Sequence, residues 1–336
     1  MNIKDFLKLE HPESFDFKDL ERDLKSKGCD FEKWLTYKTS PKSFDCDCCT
    51  LALTIYRFLW GGGNIADGNR FWQLDIFENR EFGGDTMNSM AATLITYIGQ
   101  HEKRNALVPQ KGRMSLTKIH DGFQRREENP NVWKDFLENG LPWGDFARNV
   151  GCIGNFVLTP RTFNMYRNRA ARDCWDLSLE LLRKGDTCLY GDDIWRKKDY
   201  EKYINFFFLW DYVDDTGEPI ALFEREGEKK LPQVKDENND FRFMDNAFQV
   251  FLEGVNCRIE RRGIFMAAML DIAVNDPNEY GHIRDCLSSD GCELAGHGKC
   301  SLETALEYLR NKARLSKDTQ DKLNTLKEIL KEKPLQ

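Results

Sequence analysis

The sequence has no apolar stretch approaching the roughly 20 residues a bilayer span requires. Its first residues, Met1 to Phe6, hold no apolar run of the kind that forms a secretory h-region. Both absences predict a chain that makes no membrane contact and resides in the cytoplasm. It also lacks an excess of positive charge. Its 49 Lys and Arg face 56 Asp and Glu, a net charge of −7, which argues against a general nucleic-acid coat or a binder of anionic membranes and leaves room for a local basic patch. Histidine is scarce, at 5 residues, and no Ser-His-Asp or Cys-His arrangement stands out. The nucleotide-loop pattern G-x-x-x-x-G-K-[ST] is missing, as are internal repeats and low-complexity tracts. The 11 cysteines are odd in number and scattered, which points to reduced thiols rather than a disulfide framework.

What is present is globular. At 336 residues with 40% hydrophobic and 12% aromatic content, the chain can bury one large core or two ordinary ones. The patterning predicts an α+β fold, predominantly helical with a small β-sheet. Cys46 to Trp60 is nearly all apolar and stops at Gly61-Gly62-Gly63, which fits a buried helix ended by a breaker. Arg70 to Phe77 is rich in aromatic and branched residues and predicts a strand. Gly83-Gly84 then predicts a turn, with a helix over Met87 to Ile98 capped by Asp85 or Thr86. Residues 101 to 130 are polar and basic with few apolar anchors, and predict a solvated loop.

Short helices follow around Trp133 and Trp143, and Ile153 to Leu158 predicts a strand. Trp175 to Leu182 fits both strand and helix periodicity, and Arg183-Lys184-Gly185 tips it to helix. Tyr200 to Trp210 predicts another helix. Phe241 to Val274 predicts two helices, and Ser301 to Arg310 and Thr319 to Leu330 are amphipathic. A weak boundary near 225 to 240 separates a main α+β domain, 1–225, from a helical C-terminal region, 240–336, that either stands apart or belongs to the same domain.

Three constellations could carry chemistry. The stretch Pro160 to Arg172 presents Asn164, Tyr166, Arg167, Arg169 and Arg172 between a strand and a helix. Arginine forks bind phosphate and an aromatic face stacks on a base; the competing reading pairs these arginines with Asp173, Asp176 and Glu180. The stretch Gly83-Gly84-Asp85-Thr86 with Asn88 offers a glycine turn with free N–H groups, and in Asp85 a general base or a ligand for a divalent metal. Its competing reading is turn formation and helix capping. Cys286, Cys292, His297 and Cys300 are of the types zinc takes, in a spacing unlike the common fingers, and free cysteines explain the same letters. Tyr212-Val213-Asp214-Asp215 matches the Y-x-D-D of reverse transcriptases, but the residues before it favour a helix over a hairpin.

Gly154-Asn155-Phe156, Phe163-Asn164 with Tyr166-Arg167, Asp176-Leu177-Ser178-Leu179 and Phe207 to Asp214 together resemble a family of uncharacterised bacterial proteins, as does Phe82 to Ser89. The likeness covers roughly residues 45 to 225. It implies a bacterial or phage origin and argues against the reverse-transcriptase reading, without implying a reaction. Two functions stand open. One is binding, with or without hydrolysis or transfer, of a nucleotide or a nucleic-acid end by Gly83 to Asn88 and the arginine loop. The other is a helical module that binds a protein partner through its C-terminal helices, in a toxin-antitoxin or phage-defence setting.

Overall fold

The computed structural model describes residues 1–18, 31–39, 46–61, 71–78, 80–100, 103–112, 114–138, 143–161, 163, 174–184, 197–221, 225–226, 242–243, 247–288, 301–313 and 315–335. Among these are fourteen α-helices and one small three-stranded antiparallel sheet, the predominantly helical α+β fold that the patterning predicts. The sheet contains β1 (Phe71–Leu74), β2 (Arg80–Thr86) and β3 (Phe156–Pro160), in that order, with β2 in the middle. A separate two-stranded ribbon pairs β4 (Arg225–Glu226) with β5 (Arg242–Phe243).

Helix α1 (Ile3–Leu7), α2 (Phe31–Lys38) and α3 (Thr50–Trp60) precede the sheet. α3 stops at Gly61, whose φ of 69° favours glycine, as the breaker predicts. α4 (Met90–Gln100), α5 (Arg104–Leu107), α6 (Leu116–Gln124), α7 (Pro130–Glu138) and α8 (Trp143–Asn149) lie between β2 and β3. α5 and α6 correct the expectation of a solvated loop over 101 to 130. Leu107, Val108, Ile119 and Phe123 are buried in one cluster there, and Gly122 lets the helix approach Leu107 so closely that a Cβ would sit 2.2 Å from its carbonyl oxygen. Few anchors suffice when their i, i+4 spacing puts them on one face.

After β3 come α9 (Trp175–Lys184), α10 (Lys197–Phe206), α11 (Ala247–Asn275), α12 (Pro277–Ser288), α13 (Leu302–Lys312) and α14 (Lys317–Lys331). α11 is one helix of 29 residues, not the two predicted. It serves two hydrophobic clusters in turn. Phe251, Leu252, Val255 and Ile259 pack with α2 and α4 to α8. Phe265, Met266, Met269 and Leu270 pack with the sheet, α3, α10 and α12 to α14. A helix buried on all sides shows little amphipathic stripe, so its pattern reads as broken where the partner cluster changes. Residues from both sides of the 225 to 240 stretch share these clusters.

At that change of partner sit three arginines. Arg262 is fully buried and donates through Nε and Nη2 to the Phe207 carbonyl at 3.1 and 2.9 Å, and through Nη1 to the carbonyls of Gly154 and Phe156 at 2.7 Å each. Phe207 presents its carbonyl because α10 ends in a left-handed Phe208 with φ 58°, a strained geometry for an aromatic residue. Arg261 donates to Asp211 Oδ2 at 2.7 Å, to both carboxylate oxygens of Glu303 at 2.7 and 2.8 Å and to the Leu330 and Lys333 carbonyls. Arg258 donates to the backbone carbonyl of Asp211 at 2.9 Å. Asp211 in turn accepts from the Leu302 N–H at the start of α13. The acidic pair of Y-x-D-D takes no part: Asp214 closes a tight turn, accepting from the N–H groups of Thr216 and Glu218.

Candidate functional site

Gly83 and Gly84 do not form a turn. They lie inside β2, where Gly83 faces Phe71 on one side and Thr159 on the other, and Gly84 faces Leu158. Their role is close packing, since a Cβ on Gly84 would sit 2.9 Å from the Asp47 carbonyl oxygen and 3.2 Å from the Tyr56 ring. The expected helix does follow, but it starts later. Ser89, not Asp85 or Thr86, caps α4, its Oγ accepting from Ala92 N–H at 3.3 Å and its carbonyl from Thr93 N–H at 3.0 Å.

Strand alternation puts Asp85 on the face of β2 opposite Phe82, with Gly83 and, across the ladder, Val157 and Thr159. Asp85 is buried, accepts from the Thr86 N–H at 2.8 Å and lies 3.5 Å from the Thr159 hydroxyl. Thr86 ends the strand, and its carbonyl accepts from the Trp175 indole N–H at 3.4 Å.

Asn155 fixes what comes next. Its Oδ1 accepts from the Asn88 N–H at 2.9 Å, and its Nδ2 donates to the Asn88 carbonyl at 3.0 Å and the Val150 carbonyl at 2.9 Å. Its own carbonyl accepts from the Met87 N–H. The Asn155 amide is therefore fully used in holding Asn88. The Asn88 side chain is not: it is 1% exposed, and neither its Oδ1 nor its Nδ2 has a hydrogen-bond partner among the described residues. Burying an amide unpaired costs roughly 1–3 kcal/mol, and this corner holds two donors and an acceptor that no described residue pairs.

Of the arginine loop, Asn164, Tyr166, Arg167, Arg169 and Arg172 lie outside the described residues. Its two flanks are placed. Arg161 leaves β3 beside Glu81, with a backbone hydrogen bond of 3.0 Å and an ion pair of 2.6 Å, and its guanidinium covers the Phe71 ring. The chain is described again from Cys174, and Trp175 reaches Thr86. These attachment points sit at opposite ends of β2, about 17 Å apart at ~3.3 Å per residue, with Asp85 between them. Of the zinc quartet, Cys286 is described and half-buried on α12, while Cys292, His297 and Cys300 lie outside the described residues. Among the described residues no group of three or more metal-binding side chains is assembled.

Sequence reasoning missed Asn155, Thr159 and Trp175 as site residues. Asn155 was in view as part of Gly154-Asn155-Phe156, and all three of those residues now have a physical reason. A Cβ on Gly154 would lie 1.9 Å from the Ile259 carbonyl oxygen of α11, Asn155 holds Asn88, and the Phe156 carbonyl receives Arg262. No helix among the described residues is long and apolar enough to cross a membrane. Comparison with protein-family models, with curated proteins and with solved structures gives no match.

Proposed function

We propose that the chain binds a phosphate-bearing ligand, a nucleotide or a nucleic-acid end, where β2 runs into α4. One observation carries the reading: the buried, unpaired amide of Asn88, one residue ahead of the cap of an 11-residue helix. Such a helix start favours anions through its dipole and its first N–H groups. The Asn88 Nδ2 adds a donor for a phosphate oxygen, and its Oδ1 an acceptor for a base or sugar hydroxyl. Asp85 then either binds a divalent cation that bridges to the phosphate or takes a proton from the reacting group. Arg167, Arg169 and Arg172, with Asn164 and Tyr166 beside them, belong to the segment tethered at both ends of β2 and supply counter-charge and stacking. The test is titration of the purified protein with nucleoside mono- and triphosphates, with and without magnesium, followed by calorimetry. Asn88→Leu and Arg167→Ala should each weaken binding at least tenfold, and Asp85→Asn should remove its magnesium dependence; unchanged affinities in all three would sink the reading.

A second reading, a protein-interaction module, is favoured by one feature. A groove of about 340 Å³ between α11 and α14 is lined by Ile264, Ala268, Ile272, Leu323, Leu326 and Ile329, with Ile329 41% exposed. Removing residues 301–336 is not a fair test, because Leu302, Leu306, Leu323 and Leu330 are core. Ile329→Asp leaves that core intact and should abolish capture of a partner.

A further inference from the structure

The basic stretch 103–118 folds into a corner where cations gather with few counter-charges. Arg104 at the start of α5 donates to the Gly112 carbonyl at 3.1 Å, and Lys118 in α6 donates from Nζ to the Lys111 carbonyl at 2.8 Å. Gly112, with φ 99°, makes this geometry accessible, and a Cβ there would sit 3.2 Å from Lys118 Nζ. Two cations are thus pinned on the adjacent carbonyls of Lys111 and Gly112, Lys111 itself is exposed, and none of the three has a carboxylate partner among the described residues. Of the neighbouring charges, Lys103 is paired with Asp135 at 3.0 Å, and Asp121 lies one turn further along α6. Pinning like charges together costs little in water but leaves a net positive field for an anion.

We propose that this corner docks the phosphate backbone of a single-stranded nucleic acid whose terminal phosphate reaches Asn88. The inference rests on the ligand reading above and narrows it from a nucleotide to a strand end. α5 begins just past the C-terminal end of α4, and Asn88 lies just before its start, so about 17 Å of helix at ~1.5 Å per residue separates the two, a span a short oligonucleotide covers. A membrane surface fits less well: the exposed large apolar residues among those described are Met1, Phe71, Val250 and Ile329, and none lies at this corner. The chain's overall charge of −7 repels a polyanion elsewhere, which makes a local basic corner the place to dock.

The experiment is fluorescence anisotropy of the full-length protein with a short 5′-phosphorylated oligodeoxythymidine across a salt series. Arg104→Gln/Lys111→Gln/Lys118→Gln should lose about tenfold or more in affinity at low salt, and the slope of log affinity against log salt should shrink by about 2, with nucleotide affinity unchanged. Because Arg104 and Lys118 also hold the 111–112 turn, Lys111→Glu alone, which removes no side-chain hydrogen bond, should reproduce the direction with a smaller loss. No binding of the oligonucleotide by the wild type, equal binding by both variants, or charge-dependent binding to phosphatidylserine vesicles instead of the oligonucleotide would each overturn the proposal. Loss of nucleotide binding with intact oligonucleotide binding would instead overturn the Asn88 site and leave the corner standing.

Discussion

Two buried polar regions lie about one side chain's reach from β3 and differ in a single respect. Around Arg262 four hydrogen bonds run from the guanidinium to three backbone carbonyls, and Arg261 links Asp211 to Glu303 through charge-assisted bonds. Around Asn88 the backbone is held as tightly, yet the side chain has no hydrogen-bond partner among the described residues. Burial alone therefore does not tell the two regions apart; the hydrogen bonding of the side chain among the described residues does. The arginine cluster joins α10, α11, α13, α14 and the start of β3. Under the proposed reading, the asparagine corner spends stability on groups that a ligand would complete.

The sharpest way to break that comparison is at Arg262. Burial holds its guanidinium down to about 10, against the pull of the nearby tyrosines, so it remains cationic at neutral pH. Arg262→Met fills much of the volume and strands the carbonyls of Gly154, Phe156 and Phe207. Urea denaturation should show a loss of about 3–5 kcal/mol. A loss near zero would mean these carbonyls find other partners and the cluster is not a structural lock.

Glu303 sharpens it further. Burial pushes its carboxyl up, but the hydrogen bonds from Arg261 outweigh that and leave it below the ordinary carboxylate range. A carboxyl held low in the folded state contributes stability that is complete above its unfolded value, about 4.3, and fades as pH falls through the folded value. Glu303→Gln should therefore cost about 1–2 kcal/mol at neutral pH, and the gap from wild type should close only below about pH 4. Asp211, pushed up by burial against the pull of Arg261, works in the opposite sense. Its ionisation weakens the fold as pH rises, so Asp211→Asn should show no such narrowing in acid.

Much of this was legible in the sequence and some of it could not be. α3, α9, α13 and α14 followed from apolar spacing, with stop signals at Gly61 and at Arg183-Lys184-Gly185; the caps of α13 and α14, Ser301 and Ser316, are seen in the structure. Gly83-Gly84 misled because two glycines mark either a turn or a strand pressed against backbone, and only the approach of Asp47 and Tyr56 decides between them. The arginines of α11 interrupt an apolar run, which reads as a helix boundary until Gly154, Phe156 and Phe207 are known to lie across from them. At the candidate site, Asp85 and Asn88 were visible as residue types, but the pairing of Asn88 with Asn155 spans 67 positions and leaves no local trace.

The smallest expected effect carries the most weight, because its sign separates the two regions. Asn88→Leu replaces an unpaired buried amide by an apolar side chain of similar size. The most direct measurement is thermal and urea unfolding of Asn88→Leu beside wild type, with nucleotide titration of the same samples. The account predicts a protein that is about 1 kcal/mol more stable and no longer binds. A variant that is clearly less stable, or one that binds as well as wild type, would contradict it, since Asn88 would then be one more satisfied core residue like those around Arg262.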